Sequence, residues 1–528
     1  MPLESADKMN SFLTPNEHAG RIFSEQIQKI KASGESSVIS LQPGRYLFRK
    51  EEAAFCDQPV SNTVVYDGNV PRKHVGLMLA GISDLTIDGN GAELVFDGDM
   101  SAIALLNCKN IVLRNFSVDY LHPRVVEMRC TGCRGKEADF ELHPDSRAML
   151  RDGKLVFLNP DGLPEAAEKW IVQCAAADGL SNKRSPFHPC KEVSECTELA
   201  PGKFRFRYNE PYDIEIGSVW QFRNPARNEN GIFLHECQNV ELDHLKLYFT
   251  PGLGVIAQLC KDLNIHAHVH APQPGSGRAC AAFADCIQIS SCRGKVRITD
   301  SEFSGSQDDP VNIHGTYLGV QRMDGPKLLL EFGHPETWGF LPFEPGDEIA
   351  LVDAETLERL QYSQVREAVL TDFRHIELTL VPAFDADPVK KRYVVENLLA
   401  CPEVLVENNR FRCYPTRGLL ITTSAASAVR KNHFLQAPPR PAIFISGGAS
   451  PWFESGGVQN LLIEENVFEN CSVPAIEINP KNNGRFPLHR GIRIRNNTFV
   501  RCTPPYLHAA GCMNVETDIE NPAVRILK

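Results

Sequence analysis

Three carboxylates stand out by their spacing. Asp285 lies in Phe283-Ala284-Asp285-Cys286-Ile287-Gln288, and 23 residues after it Asp308 opens Asp308-Asp309-Pro310-Val311-Asn312-Ile313-His314-Gly315. On its own an Asp-Asp-Pro reads as an ordinary polar turn. Three carboxylates brought to one spot read differently. They cannot all ionise cheaply, so mutual repulsion raises one pKa and leaves a protonated acid beside ionised bases. That division of labour is what hydrolysis of a glycosidic bond requires.

The element that would bring such residues together is a stack of coils. A short pattern recurs: a Cys or Asn, a few polar residues, an alternating apolar strand, then an Asn-x-Phe step. Cys108-Lys109-Asn110-Ile111-Val112-Leu113-Arg114-Asn115-Phe116 states it early, and strands after Cys237, Cys260 and Cys292 continue it. Asn409-Arg410-Phe411, Asn432-His433-Phe434, Asn466-Val467-Phe468 and Asn497-Thr498-Phe499 state it most clearly, with steps of 23, 34 and 31 residues. A period near 23 with insertions fits an all-β fold, a right-handed parallel β-helix. The β-branched runs lack the 3.6-residue periodicity of helical repeats. Coils stack about 4.8 Å apart, so one period of 23 would set Asp285 directly beside Asp308-Asp309. Pro310 cannot donate to a ladder and marks a corner at which both Asp side chains can face outward. The recurring Asn and Phe are expected to form structural ladders, and Asn312 is grouped with them.

Two stretches break the repeat and read as β-rich, barrel-like insertions, residues 123–219 and 316–396. Residues 1–122 then hold an N-terminal cap and the first coils, 220–315 the central coils with the Asp cluster, and 397–528 the last coils. Phe23, Ile27 and Ile30 sit at i, i+4 and i+7 among polar residues, the pattern of a helix that could cap the first coil.

Composition narrows the partners. With Lys+Arg 55 against Asp+Glu 66 the net charge is −11, which disfavours nucleic acid and acidic polysaccharide. Met1-Pro2-Leu3-Glu4-Ser5-Ala6-Asp7-Lys8 lacks the pattern of a secretion leader and no window is apolar enough for a membrane span, so a cytoplasmic protein with no membrane partner is expected. Cysteines number 17, mostly single and in apolar or Asn-rich contexts, and read as reduced. Cys130-Thr131-Gly132-Cys133 has a knuckle spacing without a second pair, so neither a zinc site nor any other cofactor is expected.

Three segments carry a resemblance: Asp308-Asp309-Pro310-Val311-Asn312-Ile313-His314-Gly315, Arg417-Gly418-Leu419-Leu420-Ile421-Thr422-Thr423 and Trp452-Phe453-Glu454-Ser455-Gly456-Gly457. Together they resemble glycoside hydrolase family 110, over most of residues 80–500. The resemblance implies a β-helix with barrel insertions and an inverting, exo-acting α-galactosidase that removes terminal α-1,3-linked galactose. Such enzymes usually carry a secretion signal, which is not evident here. The Asp, 23 residues, Asp-Asp arrangement also resembles the polygalacturonases. By that likeness Asp308 is the general acid, and Asp285 and Asp309 hold the attacking water. Inversion needs room for that water, so acid and base carboxyls are expected about 6.5–9.5 Å apart. Substrate contacts fall to His314, Arg417, Trp452 and Glu454, with Arg223 and Arg227 able to reach the site. The substrate partner is a terminal α-galactoside; the sequence sets no oligomeric state. Three alternatives stay open: a polygalacturonase-type hydrolase, a polysaccharide lyase or epimerase, and a non-catalytic glycan-binding β-helix.

Overall fold

A computed structural model describes residues 9–435, 440–482, 484–520 and 523–526; the segment Met1–Lys8, read above for a leader, lies outside them. The chain winds as a right-handed parallel β-helix. Its strands form three long parallel ladders. The ladder that carries the site runs through Leu253–Gln258, Ile287–Ser290, Val311–Thr316 and Leu419–Ile421, each bonded to the next. Along it Val255, Ile287, Val311, Leu419 and Ile443 point inward and are fully buried, while Gln288, Asn312, Leu420 and Phe444 occupy the alternate, outward positions.

The recurring motif residues are the coil-to-coil ladders. Asn432 Nδ2–H and the Asn409 backbone show the pattern: Asn409 N donates to Asn432 Oδ1 at 3.0 Å, and Asn432 N donates to Asn466 Oδ1 at 3.0 Å. Asn466 in turn donates to Asn497. One residue pair further on, Phe303, Phe411, Phe434, Phe468 and Phe499 stack with ring centroids 4.6–5.3 Å apart. Cys237 and Cys292 bond thiol to carbonyl of a neighbouring coil, on Leu105 and Ala257. The helix Ala19–Ser33 covers the first coil, burying Phe23, Ile27 and Ile30 and setting Phe23 against Tyr46 and Phe48.

Two outgrowths leave the solenoid. The first is a seven-stranded antiparallel sheet with strands from Val125–Arg134 to Val219–Arg223, packed on its own core of Phe140, Phe157, Trp170, Phe206 and Phe222, with a small three-stranded sheet beside it. Cys130 and Cys133 lie on it with their thiols on the Gly132 and Tyr212 carbonyls. The second, from Leu318–Asp324 to Tyr393–Asn397, is a closed six-stranded barrel around Leu330, Ile349, Leu378 and Val395. No helix among the described residues is long and apolar enough to cross a membrane.

Candidate active site

Asp285, Asp308 and Asp309 do come together: one carboxylate oxygen of each lies within 4.8 Å of the others. The register differs from the expected one. Ala282 bridges Ser306 and Ile287 pairs with Val311, so this coil is 24 residues long and Asp309, not Asp308, stacks on Asp285. A 23-residue step does occur elsewhere in the solenoid, as in Ile232↔Val255 and Leu405↔Ala428; this coil carries one residue more. Asp308 takes the place next to Pro310's coil corner, where it keeps a side-chain exposure of 23%, against full burial of Asp309. The nearest carboxylate oxygens of the trio thus lie within 4.8 Å of one another. Residues stacked on adjacent coils are held at the strand spacing, about 4.8 Å, and the carboxylates inherit it.

Arg417 follows in the same column. Its backbone N–H donates to Asp309 Oδ1 at 3.0 Å and its Nη2 to Oδ2 at 2.6 Å. Gly418 beside it is required by packing, because a Cβ there would lie 2.8 Å from the Ala442 carbonyl oxygen and 2.9 Å from the Phe434 ring. Burial pushes the Asp309 carboxyl up to about 6, with Arg417 opposing and Asp308 adding to the rise. Asp285 is held well above the usual carboxylate range by burial first and then by Asp308 and Asp309. The cluster thus keeps a proton at ordinary pH, and the stacked pair is where burial holds it.

The loop that carries Asp308 is gripped from outside the solenoid. Gln173 and Asn182, on strands Ile171–Ala175 and Asn182–Arg184 of the first outgrowth, donate to the Gln307 and Ser306 carbonyls at 2.8 and 3.2 Å. Gln307 answers by donating to Gln221 at 2.9 Å. On the same strand as Asn182, Arg184 reaches to 3.7 Å from Asp308. Arg223 donates to the Phe283 carbonyl at 2.6 Å and lies over its ring, and Arg227 pairs with Glu336 of the barrel at 2.5 Å. Both outgrowths therefore meet at the Asp cluster, with four arginines around it.

The other candidate residues form the adjoining wall. Strand Glu454–Ser455 pairs antiparallel with the end of Val311–Thr316. That pairing brings Glu454 within 3.9 Å of His314 and lets it accept a bond from Asn312 at 3.3 Å. Asn312 is thus a cleft residue and not a member of the Asn ladder, because the alternation of its strand turns it outward beside Gln288. His314 Nδ1 faces the Gly315 carbonyl at 2.8 Å and its Nε2 faces the Gln288 amide at 3.1 Å. The Gly315 carbonyl and the Gln288 amide thus fix the orientation of the ring. Trp452 is 39% exposed, with one face stacked on His334 of the barrel at 4.3 Å.

A family described as GLAA-B beta-barrel domain II matches residues 327–388, inside the barrel. Alpha-1,3-galactosidase A of Bacteroides thetaiotaomicron is 34% identical over 470 residues, covering 88% of this chain and 82% of that protein. The chain belongs to the α-1,3-galactosidase family, glycoside hydrolase family 110. Alpha-1,3-galactosidase A of Bacteroides fragilis is 33% identical over 495 residues, covering 92% and 81%. Among solved structures, an exopolygalacturonase of Thermotoga maritima matches at 11% identity and a TM-score of 0.39, over 93% of this chain and 82% of that one.

Sequence reasoning missed Arg184, Gln173 and Gln288 in this family member's site. The first two lie in an outgrowth whose antiparallel strands carry no repeat from which to count. Gln288 was within reach, since it stands one coil before Asn312 in the segment that follows Asp285.

Proposed function

We propose that the chain is an exo-acting, inverting α-galactosidase that releases terminal α-1,3-linked galactose. The observation that carries this is the division within the carboxylate trio: Asp285 and Asp309 stacked and buried, Asp308 only partly buried beside them, in a chain of the α-1,3-galactosidase family. Asp308 is the member that can reach a departing glycosidic oxygen and protonate it. Asp285 keeps its proton through burial and Asp309, beside Arg417, takes one from water; the proton that Asp308 gives to the leaving oxygen is made good by the one Asp309 has taken, so the trio ends as it began. The short separation by itself is that of a retaining pair. Inversion is the outcome that the resemblance to glycoside hydrolase family 110 implies, and Arg417, bonded to both Asp309 oxygens, favours the ionised carboxylate that a water-activating base needs. Water is then the nucleophile.

His314, Glu454, Arg417 and Trp452 are assigned to sugar binding. Glu454 accepts from hydroxyls, and the free face of Trp452 offers a stacking surface. Exo action is supported by the two outgrowths, which supply Arg184 on one side and His334 with Glu336 on the other and so enclose the trio. The reaction as written uses only these side chains and water, and turnover is expected to survive EDTA. The test is a digest of α-1,3-, α-1,4- and α-1,6-linked digalactosides followed by proton NMR. Release of β-galactose first, from the α-1,3 isomer, is expected; initial α-galactose would mean a covalent intermediate and end the assignment of water as nucleophile. A requirement for Ca²⁺ with an unsaturated product would favour a lyase instead.

A further inference from the structure

A second cluster sits on a different ladder of the solenoid, away from the Asp trio. Asp243 ends strand Gln238–Asp243, and His266 ends the next strand, Lys261–His266, in direct register with it. His244 occupies the corner that follows Asp243. Asp243 Oδ1 lies 2.8 Å from His244 Nδ1 and 2.7 Å from His266 Nδ1, and one ligating atom of each of the three residues lies within 4.8 Å of the others.

A further feature points to a cation. His266 faces a carboxylate with each ring nitrogen: Nδ1 meets Asp243, and Nε2 lies 3.5 Å from Asp300 Oδ2. A metal ion held on Nδ1 would leave Nε2–H for Asp300, the arrangement in which a ligating imidazole is oriented by a carboxylate behind it. Asp300 is itself steadied by Asn408, which donates to its Oδ1 at 2.6 Å. His244, Ala267 and Asp300 are successive corner residues, each with its backbone N–H on the next coil and each with positive φ. Ala267, between the two larger side chains, is the smallest residue of this column.

We propose that Asp243, His244 and His266 form a binding site for a divalent transition-metal ion, with Asp300 as an outer partner of His266. Two imidazoles and one carboxylate are a donor set suited to zinc, cobalt, nickel or copper rather than to calcium or magnesium, which take oxygen ligands. Ligand atoms around one zinc lie about 3.3 Å apart, given bonds of about 2.0–2.1 Å, and small rotations of the two rings open the present contacts to that distance. The site joins two adjacent coils on a ladder apart from the Asp trio; the cavity beside it, which His244 lines with Glu93, Asn115 and Tyr248, contains no member of the trio, so the ion acts as a clip on the fold and leaves turnover unchanged.

The untagged full chain, freed of metal by chelation, is titrated with ZnCl₂ by calorimetry and with CoCl₂ by absorption. One equivalent should bind, with visible cobalt bands and a zinc-dependent rise in Tm. His244→Ala/His266→Ala should lose all three while keeping its circular dichroism spectrum. Asp300→Asn should weaken binding about tenfold, the usual cost of losing an outer partner. Asp285→Asn/Asp308→Asn should bind zinc as the parent does, which separates this site from the trio. The proposal is overturned if the parent takes up no zinc, or if binding persists in the double His variant or is lost in the double Asp variant.

Discussion

Asp308 differs from its two partners in exposure, and that difference sets what each substitution should do. Asp308→Asn is expected to lower kcat on galactosides with poor leaving groups by about 10²–10⁴, while an activated aryl galactoside, which needs little protonation, loses much less. Asp285→Asn and Asp309→Asn should impair both substrates alike, because water activation is needed whatever departs. Steady-state kinetics on the two substrates check the pattern, and equal losses for Asp308→Asn would remove it as the acid. Arg417 favours the ionised form of Asp309. Its loss in Arg417→Met therefore raises that pKa above about 6, the base stays protonated to higher pH, and the acid limb of the kcat/KM profile moves upward. An unmoved limb would mean that Asp309 is not the group titrating. The identity of the trio was legible because all three lie near a coil spacing. Their pairing was not, because one extra residue in a coil is invisible without the bonds that define the register.

The elements of the solenoid were legible for a related reason. An Asn-x-Phe step recurs because each coil must satisfy the same buried corner, and repeated chemistry leaves a repeated string. The outgrowths have no such constraint, so their strands showed as β-rich without their order, and the grip of Gln173 and Asn182 on the Asp308 loop was hidden with it. Asn432→Ala would strand the Asn409 backbone N–H, which donates to Asn432 Oδ1, while Asn466 Oδ1 keeps the Asn432 backbone N–H and Asn409 Nδ2 keeps the Ile298 carbonyl; the cost is about 1–3 kcal/mol for the one buried group stranded. Phe434→Ala opens a gap between Phe411 and Phe468 and should cost about 3–5 kcal/mol. Chemical denaturation measures both. A change below about 1 kcal/mol in either would mean that the ladders follow the fold and do not hold it.

For the whole molecule, pH acts through two opposing sets of buried groups. His235 and His270 are lowered to about 4, and His268 and His489 to about 3, by burial. The unfolded chain binds these protons first, so their contribution is present above pH 6.5 and is lost as pH falls. Glu127 and Glu229 are raised to about 7 by burial. There the folded chain holds the protons longer, so stability declines as pH rises from about 4.5 to 7. Asp285 and Asp309, also raised by burial, act in the same sense as the two Glu, so four falling contributions oppose four rising ones and Tm should vary little between pH 5 and 7. Glu127→Gln removes one falling contribution, so its Tm relative to the parent should climb across that window, by on the order of 2 kcal/mol in stability. A difference that stays constant with pH would show that Glu127 does not titrate there.

The helix Ala19–Ser33 has a consequence for what the chain does in company. A stack of identical coils is a crystal in one dimension, and nothing in its bonding says where growth stops. Met9–Leu13 pairs in parallel with Ser37–Leu41 and, among the described residues, with no further strand on its other edge, the kind of edge that recruits another chain. The helix lays Phe23, Ile27 and Ile30 across the coil interior beside that edge, where an incoming coil would have to stack. It is in effect a growth inhibitor carried by the molecule itself, and a chain deprived of it would be a seed.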